Sequence, residues 1–192
     1  MPAKSLAISS SIYQLKITLR DVRPPIWRRV LVPGKFNLYK LHKVVQIVMG
    51  WTESHLHHFL IDGIYYSYPY PDSDWEDAGE EDSRRVTLAQ LVPGEKRKFS
   101  YEYDFGDSWE HEIIVEMILP PMVGVKYPAC IKGKRACPPE DVGGVWGYAT
   151  FLEAMHDPHH KEHASYVEWI GGEFDSEAFN LDEINQALQR VK

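Results

Sequence analysis

Histidine and carboxylate side chains gather in three segments of this chain, and these residue types serve metal binding and acid–base chemistry. Imidazole nitrogens and carboxylate oxygens are ligands of zinc, iron and manganese in proteins. Eight of the nine histidines fall in these segments. The groups are His55, His57 and His58; His111, which follows Asp104 and Asp107; and His156, His159, His160 and His163. Which of them can act together depends on the elements that hold them.

Residue spacing indicates which histidines would share one ligand. His55 and His57 are two residues apart, so a strand would point both to one face. His159 and His163 are four residues apart and would share one face of a helix. These four histidines are the candidate metal ligands, although the HExxH motif of many zinc enzymes is absent. The sequence therefore assigns no metal and leaves the cofactor unknown.

Alternating apolar residues predict the first part of a sheet. Residues 13–19 alternate with the two-residue period that is typical of a half-buried strand. A second strand is predicted over residues 26–32, where a Pro-Gly pair ends it. Asn37 then caps a predicted helix, and Gly50 closes that helix.

Two hairpins are predicted downstream. Residues 57–61 and 64–68 would pair through Asp62 and Gly63, a strong two-residue turn signal. Around Gly106, apolar residues occupy odd positions on both sides of the turn. Because directly opposite residues share a face, the loop must contain an odd number of residues. We predict the three-residue loop 106–108, which pairs Phe105 with Trp109.

The register of this second hairpin also separates two of the candidate residues. His111 would share the inward face with the apolar residues, whereas Asp104 would point the other way. A buried imidazole beside apolar neighbours is typical of a hydrogen-bonded core histidine. We therefore interpret His111, and His42 in the first helix, as core residues.

Three helices are predicted at the C-terminus. The first presents apolar residues over 148–155, the second begins at Asp157 and presents His159 and His163, and the third is capped by Asn180. Strands followed by helices are typical of an α+β fold. We predict an antiparallel sheet from the N-terminal two-thirds of the chain, covered by helices, with all 192 residues in a single domain.

Composition excludes several classes of protein. Hydrophobic residues make up 44 % of the chain, which excludes general disorder. The longest runs without a charged residue are 11 residues, too short to span a bilayer, so no membrane partner is expected. Residues 1–12 contain a lysine and three consecutive serines instead of an apolar export signal, and two cysteines make no disulfide framework. The expected location is cytoplasmic.

Charge is distributed unevenly. Residues 1–50 carry a net charge of +8 and the remainder −15, for a total of −7. A basic segment of this kind can contact nucleic acid. The candidate contacts are Arg23, Arg28, Arg29, Lys40 and Lys43. A sequence pI of 5.7 argues against a dedicated nucleic-acid binder.

Two longer motifs carry a resemblance to a known family. They are YDFGDSWEH at 103–111 and PPEDVGGVWGY at 138–148, accompanied by PIWR at 25–28, GW at 50–51 and HLH at 55–57. With these motifs the chain resembles, from about residue 13 to 188, the family named after a third open reading frame on a root-inducing plasmid. The resemblance implies a single-domain α+β protein and no established reaction. Some members have been labelled resolvases, but no resolvase serine signature or helix-turn-helix is evident here.

The leading hypothesis is a cytoplasmic, non-catalytic binding or interaction module for a small ligand or a protein partner. Its site would form where the HLH segment, the hairpin loop and the PPED segment converge. The candidate ligand-binding residues are His55, His57, Asp104, Asp107, His111 and Asp141. Two alternatives stay open: a metal-dependent hydrolase that uses these histidines and carboxylates, and a nucleic-acid-associated factor of mobile elements. Catalytic residues are not assigned.

Overall fold

The computed structural model describes residues 11–69 and 79–191 of the chain. The strands in these residues form one eight-stranded sheet. Its strands are β1 (Ile12–Leu19), β2 (Trp27–Pro33), β3 (His57–Ile61), β4 (Ile64–Ser67), β5 (Glu81–Asp82), β6 (Lys98–Tyr103), β7 (Trp109–Leu119) and β8 (Ala129–Lys134). Their order is β5-β4-β3-β6-β7-β1-β2-β8, and all neighbours are antiparallel except β4 and β5. The predicted α+β class is confirmed.

Two of the described helices lie between strands and three follow β8. They are α1 (Leu38–Met49), α2 (Leu88–Leu91), α3 (Gly144–His156), α4 (His163–Ile170) and α5 (Leu181–Leu188). Across residues 11–69 and 79–191, no helix combines the length and the apolar composition needed to cross a bilayer. Residues 1–10, which contribute to the export prediction, lie outside the described residues.

The predicted caps and turns of the first half are confirmed. The Asn37 side chain accepts a hydrogen bond from the Lys40 amide, and Gly50 adopts a left-handed conformation at the end of α1. Asp62 and Gly63 both have positive φ between β3 and β4, as a two-residue turn of this kind requires. In the sheet, β1 lies between β2 and β7 and buries the apolar face that its period predicts.

The register of the second hairpin differs from the prediction. Tyr103, and not Phe105, lies opposite Trp109, so the loop contains the five residues 104–108. The odd loop length and the meeting of the two apolar faces are confirmed, with Tyr101 opposite His111. The register is therefore shifted by two residues from the predicted one, in which Tyr103 would face His111. Asp104 adopts a left-handed conformation that ends β6, and Phe105 is left about half exposed.

The second C-terminal helix begins at His163, so the prediction that it starts at Asp157 is wrong. The Asp157 carboxylate accepts a hydrogen bond from the His159 amide, and its carbonyl accepts one from the His160 amide. These local bonds form a turn that delays the helix. His159 therefore lies outside α4, and the shared helical face predicted for His159 and His163 does not exist.

The outer edge of β8 is closed by a side chain of α5. The Asn185 amide oxygen accepts from the Cys130 backbone amide, and the Asn185 nitrogen donates to the Cys130 carbonyl, both at 2.9 Å. One carboxamide thus occupies the donor and the acceptor that a further strand would use.

Arg28 is buried in the middle of the molecule, with only 3 % of its surface exposed. Its guanidinium donates to four main-chain carbonyl groups and lies over an aromatic ring. The acceptors are Trp27, Val48, Lys134 and Arg135, and the ring is that of Phe179. Since Val48 belongs to the last turn of α1, the charge also lies at the favourable end of a helix dipole. Arg28 cannot contact nucleic acid, which corrects the prediction for this residue.

Three more of the predicted nucleic-acid contacts are occupied by protein groups. The Arg29 guanidinium pairs with both oxygens of the Glu116 carboxylate, at 2.6 and 2.8 Å. Lys43 pairs with Glu53 at 3.4 Å, and Lys40 lies over the ring of Phe36. The basic segment therefore serves the fold at these positions.

Three histidines are buried in the core: His42 of α1, His57 of β3 and His111 of β7. The rings of His42 and His57 stack at 3.4 Å between centroids, and the Tyr101 hydroxyl is hydrogen-bonded to His42 at 2.8 Å. His111 is fully buried, edge-on to the ring of Trp51. The core positions expected for His42 and His111 are confirmed.

Replacing Arg28 is expected to destabilise the fold strongly. Arg28→Met leaves the carbonyl groups around it without their charged donor, so the free energy of unfolding should fall by about 3 kcal/mol or more. Arg29→Met is the matched control, and it should cost about 1 kcal/mol because its ion pair is partly exposed. Urea unfolding of both variants measures the difference. Equal losses would contradict the structural role of Arg28.

Stability is expected to fall in acid because of buried histidine. Burial lowers the pKa of His111 from 6.5 to about 4, so the folded protein keeps the ring neutral while the unfolded chain takes up a proton below pH 6.5. The contribution of the neutral His111 ring to the free energy of unfolding is complete above pH 6.5. On the order of 3 kcal/mol of it is lost as the pH falls towards 4. Urea unfolding between pH 7.5 and 4.5 should give a shallower pH dependence for His111→Leu, and an unchanged one for His159→Leu.

Candidate metal centre

Three loops converge at one end of β3 and β6. They are the α1–β3 loop (residues 50–56), the β6–β7 loop (residues 104–108) and the β8–α3 loop (residues 135–143). His55 Nε2 of the first lies 3.6 Å from Asp104 Oδ2 of the second and 3.1 Å from Asp141 Oδ1 of the third. One ligand atom of each residue lies within 4.8 Å of the others, a grouping without a second example in the described part of the chain.

His55 presents a nitrogen atom that no hydrogen bond uses. Its Nε2 is shielded from solvent and has no hydrogen-bond partner among the described residues. Nevertheless three carboxylates surround it, since Glu140 Oε2 also lies 4.0 Å away. An imidazole nitrogen among carboxylate oxygens is an arrangement that a bound cation would complete.

Asp104 is oriented by its own loop. Its side chain is nine-tenths buried, and Oδ1 accepts hydrogen bonds from the amides of Gly106 and Asp107 at 3.0 and 3.3 Å. The Ser108 amide donates to the Asp104 carbonyl at 2.6 Å and closes the turn. Among the described residues, no hydrogen bond reaches Oδ2, the oxygen that faces His55. One oxygen therefore fixes the carboxylate and the other is left for a ligand.

Glu140 joins the β8–α3 loop to the other two. Its carboxylate accepts from the Thr52 amide and hydroxyl, at 2.8 and 3.0 Å, and from the Tyr103 hydroxyl at 3.1 Å. The Ser54 amide in turn donates to the Tyr103 hydroxyl. Burial, with a further contribution from Glu140, raises the pKa of Tyr103, so this hydroxyl stays protonated as a donor. The network fixes the backbone immediately before His55.

Close backbone contact holds the β6–β7 loop against the start of α3. The Asp107 carboxylate accepts from the Gly143 amide at 3.1 Å. A Cβ on Gly144 would lie 2.6 Å from the Asp107 carbonyl oxygen, and Gly144 has a φ of +67°. Glycine is therefore required here both for space and for conformation. The contact brings Asp141 next to Asp104.

The structure unites only part of the predicted ligand set. His55, Asp104 and Asp141 come together, and Asp107 lies beside them as a loop contact. His57 and His111 are buried in the core outside this group. His55 precedes β3 and so does not share a strand face with His57. His163 hydrogen-bonds to the Ala154 carbonyl and His159 is exposed, so neither belongs to the group.

Sequence reasoning left three members of the surrounding network unassigned. Glu140 stands next to Asp141 in the PPED motif, and that adjacency was a usable signal. Tyr103 and Thr52 gave none, because an aromatic residue in a strand and a threonine in a loop are ordinary at such positions.

Comparison with known proteins gives consistent matches. Residues 11–183 match the family model described as plasmid pRiA4b ORF-3-like protein. The chain is 45 % identical over 181 residues to uncharacterized protein y4hQ of Sinorhizobium fredii, covering 93 % of this chain and 91 % of that protein. It is similar to the crystal structure of the protein of unknown function MM3350 from Methanosarcina mazei Go1. That match has a TM-score of 0.80 and 35 % identity, and it covers 90 % of this chain and 97 % of the other.

Alanine at Gly144 is expected to disturb the loop contact that brings Asp141 towards Asp104. Gly144→Ala meets the Asp107 carbonyl and a positive φ, whereas Gly171→Ala meets a positive φ of +79° and no atom within 4 Å. The φ alone costs about 1 kcal/mol in both variants. The collision should add about 2 kcal/mol at Gly144. Thermal and urea unfolding measure both losses, and equal values would show that the close contact is unimportant.

Proposed function

This chain belongs to the plasmid pRiA4b ORF-3-like protein family, and on that premise we propose that it is a binding module for a divalent cation. One observation carries the proposal: donor atoms of His55, Asp104 and Asp141 lie within 4.8 Å of one another, with Nε2 of His55 free of any hydrogen bond among the described residues. The three residues come from three loops, so their proximity depends on the whole fold.

The donor set favours a transition-metal cation. Imidazole nitrogen suits zinc, iron, copper and nickel, while magnesium and calcium prefer oxygen ligands alone. One imidazole with two carboxylates therefore favours zinc or manganese over magnesium. Three protein ligands leave at least one coordination position for a further ligand.

Binding is favoured over hydrolysis by the engagement of the neighbouring carboxylate. A metal-dependent hydrolase would need a general base beside the metal. Among the described residues, Glu140 is the third carboxylate within 4.0 Å of His55, and it accepts hydrogen bonds from Thr52 and Tyr103. Because those donors engage its carboxylate, we assign Glu140 to holding the loops in position.

The proposal includes a cytoplasmic location. Cys130 and Cys137 are free thiols, which supports a reducing compartment. Burial raises the pKa of both thiols, so neither is suited to act as a reactive thiolate.

The test is a zinc titration of protein purified without a histidine tag and stripped with chelator. We expect one Zn²⁺ per chain, weaker Mn²⁺ binding and no Mg²⁺ binding at the same concentration. His55→Gln and Asp104→Asn each remove one ligand and should weaken zinc binding at least tenfold. Asp104→Asn keeps the acceptor oxygen that the loop uses, so its thermal unfolding in the absence of metal should stay close to that of the parent.

His159→Gln is the matched control, because this histidine is exposed and lies outside the group. Zinc should raise the unfolding temperature of the parent and of His159→Gln, since a ligand that binds only the folded state stabilises it. Absence of stoichiometric zinc, or equal affinity in His55→Gln and His159→Gln, would overturn the proposal.

A further inference from the structure

A cleft of about 420 Å³ opens between the β8–α3 loop and α4, on the outer side of Asp141. This volume lies within the range of small-molecule sites, roughly 300–1,000 Å³. Its lining residues are Asp141, Val142, Glu162, Ser165, Tyr166 and Trp169. The metal ligands His55 and Asp104 are absent from this lining, so the cleft is a second feature of the surface.

The lining combines negative charge with aromatic faces. Asp141 and Glu162 supply carboxylates, Tyr166 and Trp169 supply rings, and none of the described lysine or arginine residues lines the cleft. A cation over an aromatic face is attracted by the ring quadrupole, and carboxylates strengthen the attraction through charge-assisted hydrogen bonds. The same two carboxylates would repel an anion.

The two aromatic rings of the cleft pack against a buried ring of the neighbouring helix. Trp169 and Tyr166 both make edge-to-face contacts with the buried ring of Phe151 in α3, at 5.9 and 5.3 Å between centroids. The two rings also contact each other at 6.1 Å. A ligand would therefore meet preformed surfaces, which reduces the ordering cost of binding.

We propose that this cleft binds a small organic cation, a guanidinium or primary ammonium group on an apolar stem. The charged group would face Asp141 and Glu162, and the stem would lie against the rings of Tyr166 and Trp169. Benzylguanidine is a suitable probe because it joins the two parts. Benzyl alcohol is its neutral counterpart and benzoate its anionic one.

The first experiment follows the indole N–H signal of Trp169 by NMR in metal-free protein, with the signal identified from Trp169→Phe. Benzylguanidine should shift this signal with saturation in the millimolar range, and benzyl alcohol and benzoate should not. Glu162→Gln should weaken benzylguanidine binding about fivefold, the size of a lost partly exposed ion pair. Glu168→Gln is the matched control, because Glu168 lies in α4, which Glu162 directly precedes, and does not line the cleft.

Two results would overturn the proposal. One is equal binding of benzyl alcohol and benzylguanidine, which would mean that the cleft recognises only apolar surface. The other is equal behaviour of Glu162→Gln and Glu168→Gln, which would mean that the charge of the lining has no role.

Asp141 links the cleft to the candidate metal centre, and this coupling rests on the proposed function. A metal ion on Asp141 would withdraw part of the negative charge that the organic cation meets, so each should weaken the other by the same factor. At a zinc concentration that occupies the parent protein and not Asp104→Asn, zinc should therefore reduce benzylguanidine affinity in the parent and leave it unchanged in the variant, which keeps the cleft. Zinc binding without benzylguanidine binding would remove the cleft proposal alone. Benzylguanidine binding without zinc binding would remove the metal proposal alone.

Discussion

The Arg28 guanidinium is a positive charge held inside the protein by main-chain carbonyl groups from several elements. A buried charge is costly unless its donors are satisfied, so the last turn of α1 and the ends of β2 and β8 must stay together around it. The α1–β3 loop begins directly after α1, and the β8–α3 loop begins directly after β8. Arg28 therefore fixes the starting points of two of the three loops that form the candidate metal centre. The stability of the core and the geometry of the site depend on the same interaction.

The third loop is positioned by the end of a strand, and there two consecutive residues do different work. Tyr103 is the last residue of β6, with its ring buried and its hydroxyl bonded to Glu140. Asp104 follows in a left-handed conformation that ends the strand and turns one carboxylate oxygen towards His55. Tyr103 therefore belongs to the core and Asp104 to the site, and the change of backbone conformation between them separates the two roles. This is why the aromatic and acidic residues of the YDFGD motif are adjacent.

Local patterns in the sequence predicted those parts of the fold that local physics decides. The period of β1, the Asn37 cap and the Asp62–Gly63 turn each depend on a few neighbouring residues, and each was predicted. The predicted loop register at Asp104 and the predicted start of α4 were wrong, because side-chain hydrogen bonds to nearby amides competed with the regular pattern. Spacing along the chain could not predict the approach of His55 to Asp141, since that approach depends on a backbone contact at Gly144 between distant segments. The two-residue period of a strand wrongly placed His55 and His57 on one face, because the period does not show at which residue a strand begins.

The two edges of the sheet bear on how this protein behaves in a crowded solution. Asn185 occupies the hydrogen-bonding groups of Cys130 on the outer side of β8, and β5 is a two-residue strand made of two acidic residues. An open edge is a template on which another chain can add a strand and begin an aggregate. Here a carboxamide blocks part of one edge, and the shortness of β5 discourages addition at the other. Asn185 of α5 thus protects part of this edge through a single side chain that imitates a peptide group.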